Sequence, residues 1–358
     1  MARQALLHRL PAAHPGDASP IAALIDSGTL DPARIVAILG KTEGNGCVND
    51  FTRAFAVQAL AAMLAQRLGT TPEAVLERVA MVMSGGTEGG LSPHWLVFSI
   101  VEGGAPNPAG ALAIGTAFTP DLPPESLGRA AQAEATAVAV KAAMVQGGIT
   151  DVHYVQVKTP LLTSERIAGA RAPVVTHDTY ASMGFSRGAS ALGVALALGE
   201  IDRVTDDMVL RDATKFSRRA ACSAGVELTR NEVVVLGMSP DWAGDLVIAH
   251  DVMADGIDLD AVRRALAGAG LAPGAGQLAD ASRLVAVLAK AEPSASGRIR
   301  GLRHIMNDDS DINATRHARA LVGGVIGAAT GRTDAFVSGG AEHQGPDGGG
   351  PVAVVARR

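Results

Sequence analysis

Three apolar runs rich in β-branched residues recur along the chain, and each ends close to a lysine. The runs are IVAIL shortly before Lys41, YVQV before Lys158 and LVAVL shortly before Lys290. Short runs of this composition are typical of buried β-strands. The pattern therefore predicts three strands, each with a lysine near its end.

A longer apolar segment with many small residues follows each lysine. These segments contain AFAVQALAAML after Arg53, GASALGVALALG after Arg187 and ALVGGVIGAAT shortly after Arg316. Because they are apolar almost all round, they predict helices buried in close packing, with each arginine near the start of its segment. Asn49–Asp50 and Asp311–Asn313 supply N-caps for the first and third of these helices.

A further apolar run after each predicted helix ends at a serine, namely Ser84, Ser223 and Ser338. The order lysine, arginine, serine thus occurs three times, although the spacing drifts from copy to copy. We therefore predict an α/β protein of three structurally similar repeat units around a pseudo-threefold axis. The predicted units cover residues 1–104, 112–249 and 255–358, with boundaries in the stretches Gly103–Pro120 and Ala249–Asp255.

Composition narrows the classes of function. A chain of 358 residues and 36.4 kDa suits two or three domains. With 47% hydrophobic and 19% charged residues, intrinsic disorder over most of the length is excluded. The net charge of -5 and the 3% aromatic content favour neither nucleic acid nor a membrane surface as a partner. A small-molecule ligand fits this composition better.

The cysteines and the N-terminal segment bear on the compartment. Two cysteines, Cys47 and Cys222, are too few to staple a chain of this size, and they fit a reducing compartment. His8, Arg9 and Pro11 interrupt the first apolar stretch, so we expect no secretory signal. We therefore expect a cytoplasmic protein.

The repeated lysine and serine carry a specific chemistry. A lysine buried among apolar strands beside an arginine is disfavoured as an ammonium ion and can act as a base. A neutral lysine can activate a serine hydroxyl as a nucleophile without any histidine. Backbone N–H groups in the SGG and SAG turns can hold an oxyanion, and three arginines suit a ligand with several carbonyl oxygens.

Two further features leave alternatives open. Cys222 is a rival nucleophile to Ser223, but adjacent residues of a strand point to opposite faces, and we favour the serine because it recurs. The glycine-rich segment GGAEHQGPDGGGPVA, with Glu292 upstream, can clamp a hard divalent cation or be a plain loop.

Four stretches resemble signature segments of the cyanuric acid hydrolase and barbiturase family, and the resemblance covers essentially the whole chain. They are GKTEGNGCVNDFTR from Gly40, MSGGTEGGLSPH from Met83, GFSRGASALG from Gly184 and SGGAEHQGPDGGGPVA from Ser338. The resemblance implies three similar α/β units around a pseudo-threefold axis, a Toblerone-like fold, usually assembled as a homotetramer.

The family resemblance also implies roles for individual residues. It implies Ser223 as the nucleophile and Lys158 as its base, with Lys41 and Lys290 in supporting roles. One arginine and one serine turn from each unit would grip the ligand. Carried onto this chain, the implied binding residues are Arg53 with Ser84 and Gly85, Arg187 with Ser223 and Ala224, and Arg316 with Ser338 and Gly339.

A structural Mg²⁺ or Ca²⁺ in the third unit, with no catalytic role, is implied by the same resemblance. The implied ligands are Glu292, the Gln344 segment, and carbonyl groups of Ala341, Gly345, Pro346 and Gly349. Asp347 departs from the family pattern, where a neutral residue is familiar. No cofactor is expected to take part in catalysis.

The resemblance implies a cyclic amide hydrolase that opens the s-triazine ring of cyanuric acid to carboxybiuret, which then loses CO₂ to give biuret. One alternative is a barbiturase, which would open barbituric acid to ureidomalonate with the same lysine and serine. Another is a metabolite-binding protein without activity, although a pure binder needs no base beside each hydroxyl.

Overall fold

The computed structural model describes residues 1–272, 274, 276–307 and 312–358. It has a mixed α/β architecture. The first third of the chain contains β1 (Arg3–Pro11), α1 (Ser19–Asp26), β2 (Ile35–Thr42), α2 (Phe51–Leu68), α3 (Pro72–Leu76), β3 (Ala80–Gly85) and β4 (His94–Glu102).

The middle third contains a comparable succession of elements, closed by a two-residue strand. They are β5 (Ala111–Phe118), α4 (Ala130–Gly147), β6 (Asp151–Pro160), α5 (Ser164–Ala168), α6 (Thr179–Ala197), β7 (Ala220–Gly225), β8 (Glu232–Ser239) and β9 (Trp242–Ala243). Short 3₁₀ helices at Pro32–Arg34 and Pro124–Ser126 precede β2 and α4.

The last third adds a small hairpin to the same succession. Its elements are β10 (Leu246–Met253), α7 (Leu259–Gly268), β11 (Leu284–Ala291), β12 (Arg298–Ile299), β13 (Leu302–Arg303), α8 (Ala314–Thr330), β14 (Phe336–Gly339) and β15 (Gly350–Arg357). The strands β12 and β13 form the hairpin, which stands apart from the larger sheets.

Three larger sheets share one strand order. The orders are β3-β2-β4-β1-β9, β7-β6-β8-β5 and β14-β11-β15-β10. In each sheet the first two strands are parallel, and the next two pairings are antiparallel. Parallel neighbours need a crossover connection, which the helices α2, α6 and α8 supply.

The sheets do not follow the predicted unit boundaries in every detail. The strand β10 lies before the predicted start of the third unit at 255, yet it pairs with β15 in the third sheet. The strand β9, which follows β8 in the chain, pairs with β1 of the first sheet. The division at 1–104, 112–249 and 255–358 stays a prediction.

Side-chain caps fix the start of the three crossover helices. Asp50 accepts a hydrogen bond from the backbone N–H of Thr52 at the start of α2. Asn313 does the same for Thr315 at the start of α8, so both predicted caps are confirmed. Asp178 caps α6, a helix for which no cap was predicted. Asp311 lies outside the described residues.

The main hydrophobic core lies between the sheets. One cluster of buried side chains draws on all three of them, including Leu39 of β2, Val155 of β6 and Leu288 of β11. Separate clusters hold α1 and α2 against the first sheet, and α7 and α8 against the third. The crossover helices α2 and α8 therefore pack in clusters of their own, while the strand ends that carry the lysines are buried.

No helix in the described part of the chain combines the length and the apolarity that crossing a lipid bilayer requires.

Small residues decide how closely α4 and α6 pack. A Cβ at Gly193 of α6 would lie 2.3 Å from the carbonyl oxygen of Ala133 on α4. We expect Gly193→Ala to lower the free energy of unfolding by about 1–3 kcal/mol, since the backbone must shift.

Gly324→Ala is the matched control on the exposed surface of α8, where an added Cβ would have no neighbouring atom of the described residues within 4 Å. It should raise stability by up to about 1 kcal/mol. Urea unfolding curves test both, and equal effects would contradict this packing.

Candidate active site

The strand register brings each predicted lysine beside its predicted serine. In the parallel pairs β2–β3, β6–β7 and β11–β14, the lysine of one strand is the direct partner of the serine on the other. The register pairs are Lys41 with Ser84, Lys158 with Ser223 and Lys290 with Ser338. All six side chains are buried. The repeated order seen in the sequence therefore corresponds to one repeated local arrangement.

Contacts between the sheets join the three pairs. The Nζ atom of Lys158 donates to the carbonyl oxygen of Met83, the residue before Ser84, at 2.7 Å. Lys290 Nζ donates to the carbonyl oxygen of Cys222 at 2.8 Å. The hydroxyls of Ser223 and Ser338 lie 2.9 Å apart. The three lysine–serine pairs therefore converge on one buried site.

The lysines differ in how they contact their own serines. Lys290 Nζ lies 3.1 Å from the Ser338 hydroxyl, and Lys41 Nζ lies 3.4 Å from that of Ser84. Lys158 Nζ instead forms a 2.8 Å ion pair with Glu227 Oε1. Between the described side chains of Lys158 and Ser223 there is no direct hydrogen bond.

Burial makes all three lysines easier to deprotonate. Burial and, to a smaller extent, the nearby Arg187 lower the pKa of Lys290 to about 7. The pKa of Lys41 is well below its ordinary value because of burial and the nearby Arg319. Burial also lowers the pKa of Lys158, although Glu227 partly offsets this effect. A neutral amine beside a hydroxyl is thus accessible near neutral pH.

Two of the three predicted arginines are tied to the serine turns. The Nη1 atom of Arg53 donates to the carbonyl oxygen of Ala224 at 2.9 Å. Arg187 holds Glu342 with both arms of its guanidinium, at 2.8 and 2.5 Å. Arg316 lies near the start of α8, and its buried Nε atom has no hydrogen-bond partner among the described residues.

A fourth arginine, which the sequence pattern did not predict, lies at the same site. Arg319 is buried on α8 and grips Glu88 through Nε and Nη2 at 2.8 and 2.5 Å. A Cβ at Gly86 or Gly339 would collide with its guanidinium. Arg319 therefore contacts the serine turns of the first and third sheets, as Arg187 contacts the turn that follows Ser338.

Three glutamates were also missed, although the sequence carries a signal for them. A glutamate stands four residues after each serine, in SGGTE, SAGVE and SGGAE. Glu88 pairs with Arg319, Glu342 with Arg187, and Glu227 with Lys158. The partners lie on α8, on α6 and on the neighbouring strand β6. The recurring glutamate therefore does not by itself indicate which residue it pairs with.

The predicted cation loop lies beside two cavities of about 210 and 470 Å³. Glu292 lines both, and burial together with Glu342 raises its pKa to about 8. Its Oε2 atom has no hydrogen-bond partner among the described residues. Such an orphaned buried carboxylate fits a cation. No group of three or more His, Cys, Asp or Glu side chains suited to a metal occurs in the described ranges.

Other residues of this loop are bound within the protein. The side chain of Gln344 accepts from the backbone N–H of Cys222 at 2.6 Å and donates to two carbonyl groups of its own loop. Asp347 accepts from the hydroxyl of Ser294 and the N–H of Ala295. The predicted carbonyl ligands Ala341, Gly345, Pro346 and Gly349 lie in this same loop, so Glu292 would be joined mainly by backbone oxygens.

Comparisons with known proteins point in one direction. The family model of the amidohydrolase ring-opening protein matches residues 6–357. A protein named cyanuric acid amidohydrolase from Bradyrhizobium sp. (strain ORS 375) is 58% identical over 369 residues, which covers 99% of this chain and 98% of that relative.

Solved structures agree with the sequence comparison. One structure, of a cyanuric acid hydrolase, is 50% identical, covers 100% of both chains and superposes with a TM-score of 0.95. Another, a cyanuric acid hydrolase from A. caulinodans, is 55% identical over 99% of both chains with a TM-score of 0.92.

The buried lysines make a prediction about stability. Lys290 has a lowered pKa in the folded protein, so the unfolded chain binds more protons between about pH 7 and 10.5. Stability from this group is fully present above about pH 10.5 and is lost as the pH falls toward 7, at up to about 1.4 kcal/mol per pH unit. Lys290→Met should therefore flatten the rise of the unfolding free energy with pH.

The control for this prediction is Lys141→Met, which removes an exposed lysine from α4. It should leave the pH slope of the wild-type protein in place. Urea unfolding at pH 7, 8 and 9 measures the slope of each variant. The same slope for Lys290→Met and the wild type would contradict the assigned shift.

Proposed function

We propose that this chain is a hydrolase that opens the s-triazine ring of cyanuric acid to carboxybiuret. The chain belongs to the amidohydrolase ring-opening protein family. Its similarity to cyanuric acid amidohydrolases over nearly the whole chain supports the substrate. The observation that carries the proposal is the convergence of three register-paired lysines and serines on one buried site.

We infer that the three sheets surround a pseudo-threefold axis in a Toblerone-like fold. Their common strand order and their shared core support this inference. Cyanuric acid itself has threefold symmetry, so each of its carbonyl groups would meet an equivalent clamp, and little orientational freedom need be lost. One arginine and one serine turn from each unit would hold it: Arg53 with Ser84 and Gly85, Arg187 with Ser223 and Ala224, and Arg316 with Ser338 and Gly339. Arg319 joins this set because of its contacts with two of the turns.

In the proposed reaction, neutral Lys158 takes the hydroxyl proton of Ser223 as the serine oxygen attacks a ring carbonyl carbon. The arginines and the backbone N–H groups of the serine turns stabilise the oxyanion. As the C–N bond breaks, the Lys158 ammonium gives its proton to the leaving nitrogen. Water, deprotonated by Lys158, then attacks the acyl carbon; the ester bond breaks, and the Lys158 ammonium returns the proton to the Ser223 oxygen. The released carboxybiuret loses CO₂ to give biuret. Lys41 and Lys290 would polarise the other two serines.

Lys290 and Ser338 are a second candidate for the reacting pair. Their 3.1 Å contact is the shortest between a site lysine and its own serine, and burial lowers the pKa of Lys290 to about 7. A base is most effective when its pKa lies near the working pH. Variants of Ser223 and Ser338 therefore test which of the two serines is the nucleophile.

We expect Ser223→Ala to lower kcat by at least about 10³-fold, because the acyl-enzyme cannot form. Ser84→Ala is the matched control, and it should retain far more activity, since it removes only a polarised hydroxyl near the ligand.

Purified proteins would be incubated separately with cyanuric and barbituric acid, and products identified by mass spectrometry. If Ser338→Ala alone abolished biuret formation, Ser338 would be the nucleophile. Ureidomalonate in place of biuret would indicate a barbiturase.

A structural Mg²⁺ or Ca²⁺ is proposed in the third unit. Glu292 would hold it with carbonyl groups of Ala341, Gly345, Pro346 and Gly349 and the Gln344 segment. The buried Oε2 atom of Glu292 supports this set, since it has no hydrogen-bond partner among the described residues. The ion would neutralise the carboxylate and hold the loop, with no part in the chemistry.

Chelation tests this cation directly. We expect EDTA to lower the melting temperature by several degrees, and Mg²⁺ or Ca²⁺ to restore it, because an ion that binds only the folded state stabilises it. Glu292→Gln should melt at the same temperature with and without EDTA. If EDTA left the wild-type melting temperature unchanged and metal analysis of the untreated protein found no ion, the site would be refuted.

We further propose a homotetramer. Large apolar side chains remain exposed on the single chain, and assembly would cover such groups. Among them are Phe51, Val138, Val145, Tyr180 and Leu302.

A further inference from the structure

The three site lysines share one arrangement, but their acidic neighbours break it. The glutamates that follow Ser84 and Ser338 by four residues are held by Arg319 and Arg187. Glu227, which follows Ser223 by four residues, forms its ion pair with Lys158. Among the three lysines, Lys158 therefore stands out as the one whose Nζ atom contacts a carboxylate in the described structure.

The carboxylate of Glu227 is buried in direct contact with Lys158. Its side chain is 6% exposed, and a Cβ at Gly225 would lie 2.2 Å from its Oε2 atom. Glycine at 225 thus leaves room for the carboxylate. Neither oxygen of Glu227 receives a well-directed hydrogen bond from any described residue, so the contact with Lys158 is its main polar interaction.

Several other charged groups face this pair. Burial would raise the pKa of Glu227, but Lys158 and Arg53 on α2 together lower it below its ordinary value. The negative charge of Asp50 partly offsets the lowering of the Lys158 pKa by burial. The negative charge of Glu227 likewise partly offsets the lowering of the Arg166 pKa on α5. Glu232 on β8 is the register partner of Lys158, and burial raises its pKa to about 7.

A cavity of about 250 Å³ lies on the other side of Glu227. Glu227 and Glu232 line it, together with Glu77, whose side chain is 72% exposed at the protein surface. A space of this volume holds several water molecules. The cavity therefore extends from Glu227 to a residue at the protein surface.

We propose that Glu227 is a positioning residue that aims Lys158 and stabilises the ammonium ion formed when Lys158 takes the proton of Ser223. This inference rests on the proposed function of Lys158 and Ser223. The carboxylate does not take the proton. It plays the part that the carboxylate of a Ser-His-Asp triad plays toward its imidazolium.

The physical reason lies in two opposing demands on Lys158. Burial and Arg53 favour the neutral amine that the attack needs, but they also weaken it as a base. A carboxylate within about 4–6 Å raises the pKa of an amine by about 1–3 units. Glu227 thus keeps Lys158 basic enough to accept and hold the serine proton until the ring nitrogen takes it.

The test compares pH profiles of kcat/KM for the wild type and Glu227→Gln. Loss of the carboxylate lowers the pKa of Lys158, so the acid limb should move to lower pH by about one unit. Above the limb, kcat should fall at least about tenfold because the base is weaker. Glu227→Asp, which keeps the charge, should leave the limb within about half a unit of the wild type and recover part of kcat.

Glu88→Gln is the matched control, since it removes the same charge from the equivalent position in the first sheet, where the partner is Arg319. We expect it to change KM and to leave the acid limb in place. A limb that stays put in Glu227→Gln, or that moves equally in both variants, would overturn the inference.

A second measurement does not depend on turnover. Unfolding of the wild type, Lys158→Met, Glu227→Gln and the double variant gives the coupling between the two side chains. We expect a coupling of at least about tenfold in the unfolding equilibrium constant. Zero coupling overturns the inference. A clear coupling in a protein that makes no biuret would refute the proposed function and leave the ion pair standing.

Discussion

Burying three lysine side chains at one place is the constraint on which this structure depends. Each amine must lose its water and tolerate the positive charge of a nearby arginine. Two of the amines are satisfied by carbonyl groups of a neighbouring sheet, at Met83 and Cys222. The lysine amines are costly to bury, but their hydrogen bonds to these carbonyl groups also join neighbouring sheets.

Two arginine–glutamate ion pairs also join distant parts of the chain near the site. Arg319 from the last helix grips Glu88 of the first third of the chain, and Arg187 of the middle third grips Glu342. Each bidentate pair fixes a serine turn from outside its own sheet. Precise placement of the turn amides thus depends on residues that are 231 and 155 positions apart in the chain.

The repeated order of lysine, arginine and serine was enough to predict an α/β fold and a strand that ends near each of Lys41, Lys158 and Lys290. Those features follow from local hydrophobic patterns that each copy repeats, whereas the pairing of the lysine strands with the serine strands was not predicted. Arg319 could not be predicted because Arg316 stands one helical turn earlier, and periodicity alone does not indicate which of the two is buried. The same holds for Glu227 because its partner depends on three-dimensional packing, even though its spacing from the serine recurs. The pairing of β9 with β1 joins distant segments and has no local signal.

The side chain of Gln344 links the glycine-rich loop to the strand that carries Ser223, through the backbone N–H of Cys222. This link has a consequence for synthesis. On the ribosome, the strand at 220–225 emerges more than a hundred residues before the glutamine that completes its hydrogen bonding. The middle serine therefore reaches its final setting only after the third sheet has been made.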